Sequence, residues 1–105
     1  MKILIVDDSR AMRMIVRRTL RQAGYGQHDI EEAANGLEGY EQIQSQKPDL
    51  VLCDWNMPEM TGIELLQKLK DEGHGVKFGF VTSESTDEMR SRANEAGALF
   101  LIAKP

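Results

Sequence analysis

Five side chains in this 105-residue chain are of types that could do chemistry together, and each stands just past a short apolar run. Asp7-Asp8 follows Ile3-Leu4-Ile5-Val6, Asp54 follows Val51-Leu52-Cys53, Thr82 closes the run 78–81, and Lys104 closes the run 99–103. If those runs are neighbouring parallel strands, their carboxyl ends gather three carboxylates, a hydroxyl and an ammonium in one crevice. Crowded carboxylates repel one another unless they are protonated or offset by a cation. Donors that are all hard oxygens suit Mg2+ rather than zinc. A cation would leave Asp54 free as a nucleophile toward phosphorus, as carboxylates are in aspartyl-phosphate enzymes. Lys104 and the Thr82 hydroxyl would then bind phosphoryl oxygens while the metal offset the developing charge. The plain alternative gives each aspartate a local job, with Asp7 or Asp8 capping a helix and Asp54 opening a turn. That accounts for any one of them, not for the matched set.

The elements that must position these groups are legible. Residues 2–6, 30–33, 50–53, 78–81 and 99–103 read as strands, most without the in-out alternation of a half-exposed sheet. Four helices are predicted between them. In the first, Met12, Ile15, Val16, Leu20 and Ala23 share a stripe and Gly24 is a stop. Leu37, Tyr40 and Ile43 mark the second, which ends before Lys47-Pro48. Ile63, Leu66 and Leu69, widened by Leu65, mark the third, with Glu64 and Lys68 as an i,i+4 pair. The fourth, about 86–96, offers only Met89, Ala93 and Ala96, a poor stripe that predicts a weakly held helix.

Alternating β and α segments with short connections imply an α/β fold, a parallel sheet wrapped by helices, and the order expected of its five strands is the doubly wound, flavodoxin-like 2-1-3-4-5 of known folds of this kind. Right-handed crossovers put the first helix on one face and the next three on the other. Ligands in such sheets bind beyond the carboxyl ends at the switch point, here between the first and third strands, where Asp7, Asp8 and Asp54 lie. The sequence stops at Lys104-Pro105, straight after the fifth strand. The expectation is that residues 1–105 are one domain lacking a final helix beside the first. The bare sheet face would then favour instability, or dimers and segment exchange between chains over a plain monomer.

Composition narrows the function. Thirteen Lys and Arg against seventeen Asp and Glu leave a net charge of −4, which argues against nucleic-acid or membrane-surface binding. The lone Cys53 fits a small core residue in a reducing, cytoplasmic setting, and no apolar run reaches the length of a signal or membrane segment.

The segment from Val51 through Asp54-Trp55-Asn56-Met57-Pro58 to Gly62 resembles the receiver domains of two-component response regulators, especially the chemotaxis (CheY-like) type. The resemblance runs along the whole chain through Ile3 to Ser9, Ala34-Asn35-Gly36, Val81-Thr82-Ser83 and Lys104-Pro105. It implies that Asp54 accepts a phosphoryl group from a sensor histidine kinase or phosphotransfer protein. It also implies Mg2+ ligation by Asp8, Asp54 and the Asn56 carbonyl, with Asp7 acting through water. Lys104, Thr82 and Ser83 would serve the phosphate and the switch, and Asn56 and Glu84 would tune dephosphorylation. A cis Lys104–Pro105 bond is a further implication.

The family's switch aromatic, three residues before the lysine and part of the output surface, is replaced here by Leu101, and Phe100 should face the opposite way. Gly79 inside a buried strand either weakens packing or permits close approach. The first helix carries Arg10, Arg13, Arg17 and Arg21 on one side with Arg18 near, read as a solvated face or, failing that, a docking patch for an acidic kinase or phosphotransfer partner. His28 and His74 fall in separate loops and suggest no metal, and the methionines read as packing. The resulting picture is a signalling switch that catalyses only its own phosphorylation and dephosphorylation. One rival is the receiver part of a longer regulator whose effector domain was removed. The other is a haloacid-dehalogenase-like phosphohydrolase, which wants a second Asp two residues after the nucleophile, where this chain has Asn56.

Overall fold

The computed structural model describes residues 1–104. In chain order the elements are β1 (Lys2–Val6), α1 (Arg10–Leu20), a wide turn over Arg21–Tyr25, β2 (Asp29–Ala33), α2 (Gly36–Gln46), β3 (Leu50–Cys53), α3 (Gly62–Asp71), β4 (Lys77–Thr82), α4 (Asp87–Glu95) and β5 (Leu101–Ala103). The strands form one parallel sheet in the order β2-β1-β3-β4-β5. α1 ends at Leu20, short of the expected stop, and Gly24 breaks the helical path within the wide turn with φ of 96°, a left-handed conformation that glycine adopts without steric cost.

Successive strand residues point to opposite faces, and the core divides accordingly. Leu4, Val6, Val51, Cys53, Phe78, Phe80 and Leu101 meet Ile43 of α2, Leu65, Leu66 and Leu69 of α3, and Ala93 of α4. On the other face Ile3, Leu52 and Val81 pack with Phe100 and with Val16 and Leu20 of α1. Among the described residues α1 alone covers that second face, and none of its residues is fully buried.

Local signals set the helix ends. Ser9, Asn35, Thr61 and Thr86 cap the four helices by accepting from the backbone N–H three residues on. The cap of α1 is therefore Ser9, neither Asp7 nor Asp8. Thr61 and Glu64 form a reciprocal capping box, so the Glu64 carboxylate is engaged there and Lys68 pairs with Glu72 at 3.3 Å instead of with Glu64. The buried stripe of α2 is Gly36, Gly39 and Ile43, and Leu37 is 53% exposed. The helix lies so close to β1 that a Cβ on Gly39 would stand 3.0 Å from the Val6 methyls, which turns Leu37 outward.

Gly79 has the close approach for which it leaves room. A Cβ there would come within 2.1 Å of the Phe100 ring, so the bare backbone of β4 is the floor on which Phe100 rests. Leu101 points the other way and is 6% exposed in the α4-side core, which corrects its expected place on an output surface. Without a hydroxyl to satisfy, an aliphatic side chain there gains by staying in the core. β5 is shorter than its apolar run, and Leu99 is exposed although its N–H still donates to Phe78 O. The Lys104–Pro105 bond lies outside the described residues.

Candidate functional site

The crevice forms where the strands end. Asp7 follows β1, its N–H donating to Ala33 O at 3.1 Å, and Asp54 follows β3, its N–H donating to Val6 O at 2.8 Å. Lys104 follows β5, and its N–H donates to Thr82 O at 2.7 Å, which extends the β4–β5 ladder to the crevice. Both acids are buried, Asp7 at 3% and Asp54 at 6% exposure, whereas Asp8 is exposed. Asp7, Asp8 and Asp54 each offer a carboxylate oxygen, all within 4.8 Å of one another. Lys104 Nζ bridges two of them, at 3.0 Å from Asp7 Oδ2 and 3.3 Å from Asp54 Oδ2.

One ammonium against three carboxylates leaves negative charge in excess. Burial raises the Asp54 carboxyl above the usual carboxylate range, and the Asp7 charge adds to it against the pull of Lys104. Burial works against the charge on Lys104, but its hydrogen bond to Asp7 and the charges of Asp54 and Asp7 outweigh it, and its pKa is raised. Cys53 is buried beside them, with its Sγ donating to Asp54 O at 3.2 Å. Burial, with Asp54 and Asp7 nearby, pushes its thiol well up, so it is a core residue and no nucleophile.

Thr82 is wholly buried, and among the described residues its Oγ1 has no hydrogen-bond partner. Buried hydroxyls are nearly always satisfied, so an orphan one on the last residue of β4 is a donor without an acceptor. A hard-oxygen cluster with negative charge in excess fits Mg2+, and the ammonium and the unpartnered hydroxyl fit a phosphoryl oxygen. Asn56, Ser83 and Glu84 are exposed in the loops that rim the crevice, Asn56 after β3 and the other two after β4.

Sequence reasoning missed three contributors. Gly62 at the start of α3 donates its N–H to Trp55 O, and a Cβ on it would stand 2.2 Å from Asp54 O, so only glycine lets α3 press on the loop that follows β3. Arg13 and Glu32 are the others. Arg13 Nε and Arg17 Nε hold the two oxygens of Glu32 at 3.0 and 2.9 Å, and Arg13 Nη1 donates to Asp7 O at 2.6 Å. The arginine side of α1 is thus not uniformly solvated: Arg10, Arg18 and Arg21 are exposed, and Arg13 and Arg17 are engaged. A stripe of like charges on a helix carries no sign of which members meet a strand.

The family model for the response regulator receiver domain matches residues 3–105. The chain is 37% identical over 108 residues to the chemotaxis protein CheY1 of Helicobacter pylori, spanning 100% of this chain and 86% of that one. It is 36% identical over 104 residues to the sporulation initiation phosphotransferase F of Bacillus subtilis, spanning 99% and 82%. Among solved structures, the chemotaxis protein CheY4 of Vibrio cholerae superposes with a TM-score of 0.86 at 32% identity, covering 99% of this chain and 86% of that one. A CheY-like receiver domain protein of Methanospirillum hungatei superposes at 0.85 with 34% identity, covering 99% and 81%. A five-stranded sheet of this order, an acid crevice at its carboxyl edge and a match over nearly the whole length agree, and the chain belongs to the response regulator receiver domain family, of the CheY-like kind.

Proposed function

We propose that this domain is a phospho-accepting switch in a two-component pathway, with Asp54 as the acceptor. The observation that carries the reading is Lys104 Nζ shared between Asp7 and Asp54, with an unpartnered Thr82 hydroxyl at the end of the neighbouring strand β4. A carboxylate oxygen of Asp54 attacks the phosphorus of a phosphohistidine on a sensor kinase or phosphotransfer protein. The P–N bond breaks, its electron pair leaves with the imidazole, and an acyl phosphate remains on Asp54. Lys104 moves its hydrogen bond from the Asp54 carboxylate to a phosphoryl oxygen, and Thr82 Oγ1 donates to another. Asp8, Asp54 and the Asn56 carbonyl would hold Mg2+, with Asp7 acting through water. Bound there, the cation supplies positive charge that offsets the anionic phosphoryl group. Exposed Asn56 and Glu84 at the rim guide the water that later hydrolyses the acyl phosphate.

The product is a changed surface, so the domain is a signalling module and not a turnover enzyme. Drawing Thr82 toward the phosphoryl group pulls on the loop before α4 and shifts an existing equilibrium of that loop and helix. The output is chemotaxis-like, by likeness to the H. pylori and V. cholerae proteins, and the setting is cytoplasmic. Among the described residues no helix is long and apolar enough to cross a membrane.

Intact mass after incubation with Mg2+ and acetyl phosphate tests the reading. A labile gain of one phosphoryl group is expected in wild type, absent without metal and absent in Asp54→Asn. No gain in folded wild type would overturn it.

A further inference from the structure

We propose that Arg13, braced by Glu32, is a positioning residue that fixes the Asp7–Asp8 acid pair for cation binding. The inference rests on the reading of Asp7, Asp8 and Asp54 as the cation site. Every polar group of Asp7 is held by a different neighbour. Its N–H donates to Ala33 O at 3.1 Å, Oδ1 accepts from Ser9 N at 2.9 Å, Oδ2 meets Lys104 at 3.0 Å, and its carbonyl accepts from Arg13 Nη1 at 2.6 Å. The last of these matters most for Asp8. The Asp7 carbonyl belongs to the peptide that joins the two acids, and because that peptide is planar, anchoring its oxygen sets where the Asp8 backbone goes. Among the described residues no side chain holds the exposed Asp8 carboxylate, so its aim depends on that backbone.

The anchor is itself anchored. Arg13 directs Nε to Glu32 Oε1 and Nη1 to the Asp7 carbonyl, two directions that a planar guanidinium serves at once and an ammonium does not. Arg17 meets the other carboxylate oxygen, Glu32 Oε2, and its Nη2 donates to Ile30 O at 2.8 Å, so the Oε1 that receives Arg13 has no bond to Arg17. Arg17 therefore ties α1 to β2 without touching Asp7, and that makes it a control. If the arginines only attach helix to strand, losing either should have the same effect.

Charge gives a sharper distinction. A guanidinium this close to a cation site repels the cation, so removing its charge should by itself tighten Mg2+ binding. Loss of the clamp predicts the opposite, because partners that orient metal ligands are worth about 10–100-fold in metal affinity.

The test is a Mg2+ titration of the full chain, followed by the emission of its single tryptophan, Trp55, which adjoins Asp54, and by the rise in melting temperature. The expected result is a half-saturating Mg2+ concentration raised about tenfold in Arg13→Gln, Arg13→Lys and Glu32→Gln, and within about twofold of wild type in Arg17→Gln. At saturating Mg2+ the Arg13 variants should regain the wild-type extent of labelling by acetyl phosphate. A folded Arg13→Gln whose Mg2+ midpoint is unchanged or lower overturns the proposal, as does an Arg17→Gln shift equal to that of Arg13→Gln. Should Arg13→Gln fail to fold, Arg13→Lys decides it on the same criterion, since it keeps the charge and loses only the planar clamp. A wild type that responds to Mg2+ by neither readout overturns the cation site itself, an outcome separate from intact wild-type binding with unaffected variants.

Discussion

Asp54 is held in a state that the isolated fold disfavours. Its burial, with Asp7 beside it, raises the carboxyl pKa. A carboxylate whose folded pKa lies above its unfolded value stabilises the fold below the unfolded pKa, and that contribution is lost as pH rises through the folded pKa. At neutral pH Asp54 therefore works against folding. Metal-free Asp54→Asn should melt higher than wild type at pH 7, and the gap should close as pH falls to the ordinary carboxylate range. Thermal melts of both proteins in chelator across that range check it, and an Asp54→Asn melting below wild type at pH 7 would contradict it. Adding Mg2+ should raise the wild-type melting temperature and do so much less in Asp54→Asn, since the cation offsets the same excess charge.

Two elements carry the conformational consequences. β4 and β5 depend on Gly79 leaving its backbone bare beneath Phe100. Gly79→Ala should destabilise the domain by about 1–3 kcal/mol through overpacking. Made in a Phe100→Ala background the same change should be near neutral, a coupling that a double-mutant cycle in urea would measure. A full-sized penalty in that background would place the clash elsewhere. α4 has a sparse apolar stripe, with Ala93 its one buried residue. What tethers it is largely polar: Arg90 Nη1 donates to Leu101 O at 3.0 Å, and the Arg92 guanidinium lies 5.6 Å from the centre of the Trp55 ring. That second contact, worth about 0.5–1 kcal/mol at an exposed site, joins α4 to the residue after Asp54. Amide exchange should be fastest in residues 83–95 and should change there when a phosphoryl mimic is bound. Arg92→Gln should speed the basal exchange of α4, and unchanged protection over 82–88 with the mimic would count against that loop as the moving part.

The molecule as a whole is asymmetric about its sheet. One face is filled by three helices and holds the larger core. On the other, α1 leaves a groove of about 550 Å³ running past Ile3, Leu52, Val81, Phe100 and Ile102. Ile102 at its rim is 51% exposed, as is much of Ile15 on α1. Apolar surface of this kind binds apolar-surface dyes. The 105-residue chain should enhance such a dye at neutral pH, and Ile102→Lys should lower that signal while leaving acetyl phosphate labelling intact. Equal dye binding by the two proteins would show that the groove is not the site of uptake.

The amino-acid order alone determined the alternation of strands and helices and set Asp7, Asp8, Asp54, Thr82 and Lys104 where strands end. The physical reason is that a buried parallel strand must be apolar, so polar residues that end it stand out and share one edge. Gly24 was legible on similar grounds, since a left-handed turn has its own chemistry. What the tertiary structure decided depends on pairings between segments far apart in the chain. Arg13 meets Glu32 across 19 positions, and nothing in the period of α1 tells which arginines face β2. Gly39 rather than Leu37 faces β1 because backbone distance, not hydrophobicity, selects the contact. Glu64 chose its own cap over Lys68 because the local hydrogen bonds were already there to be made. Periodicity reports which faces are apolar, and only register and interatomic distance assign a polar side chain its partner.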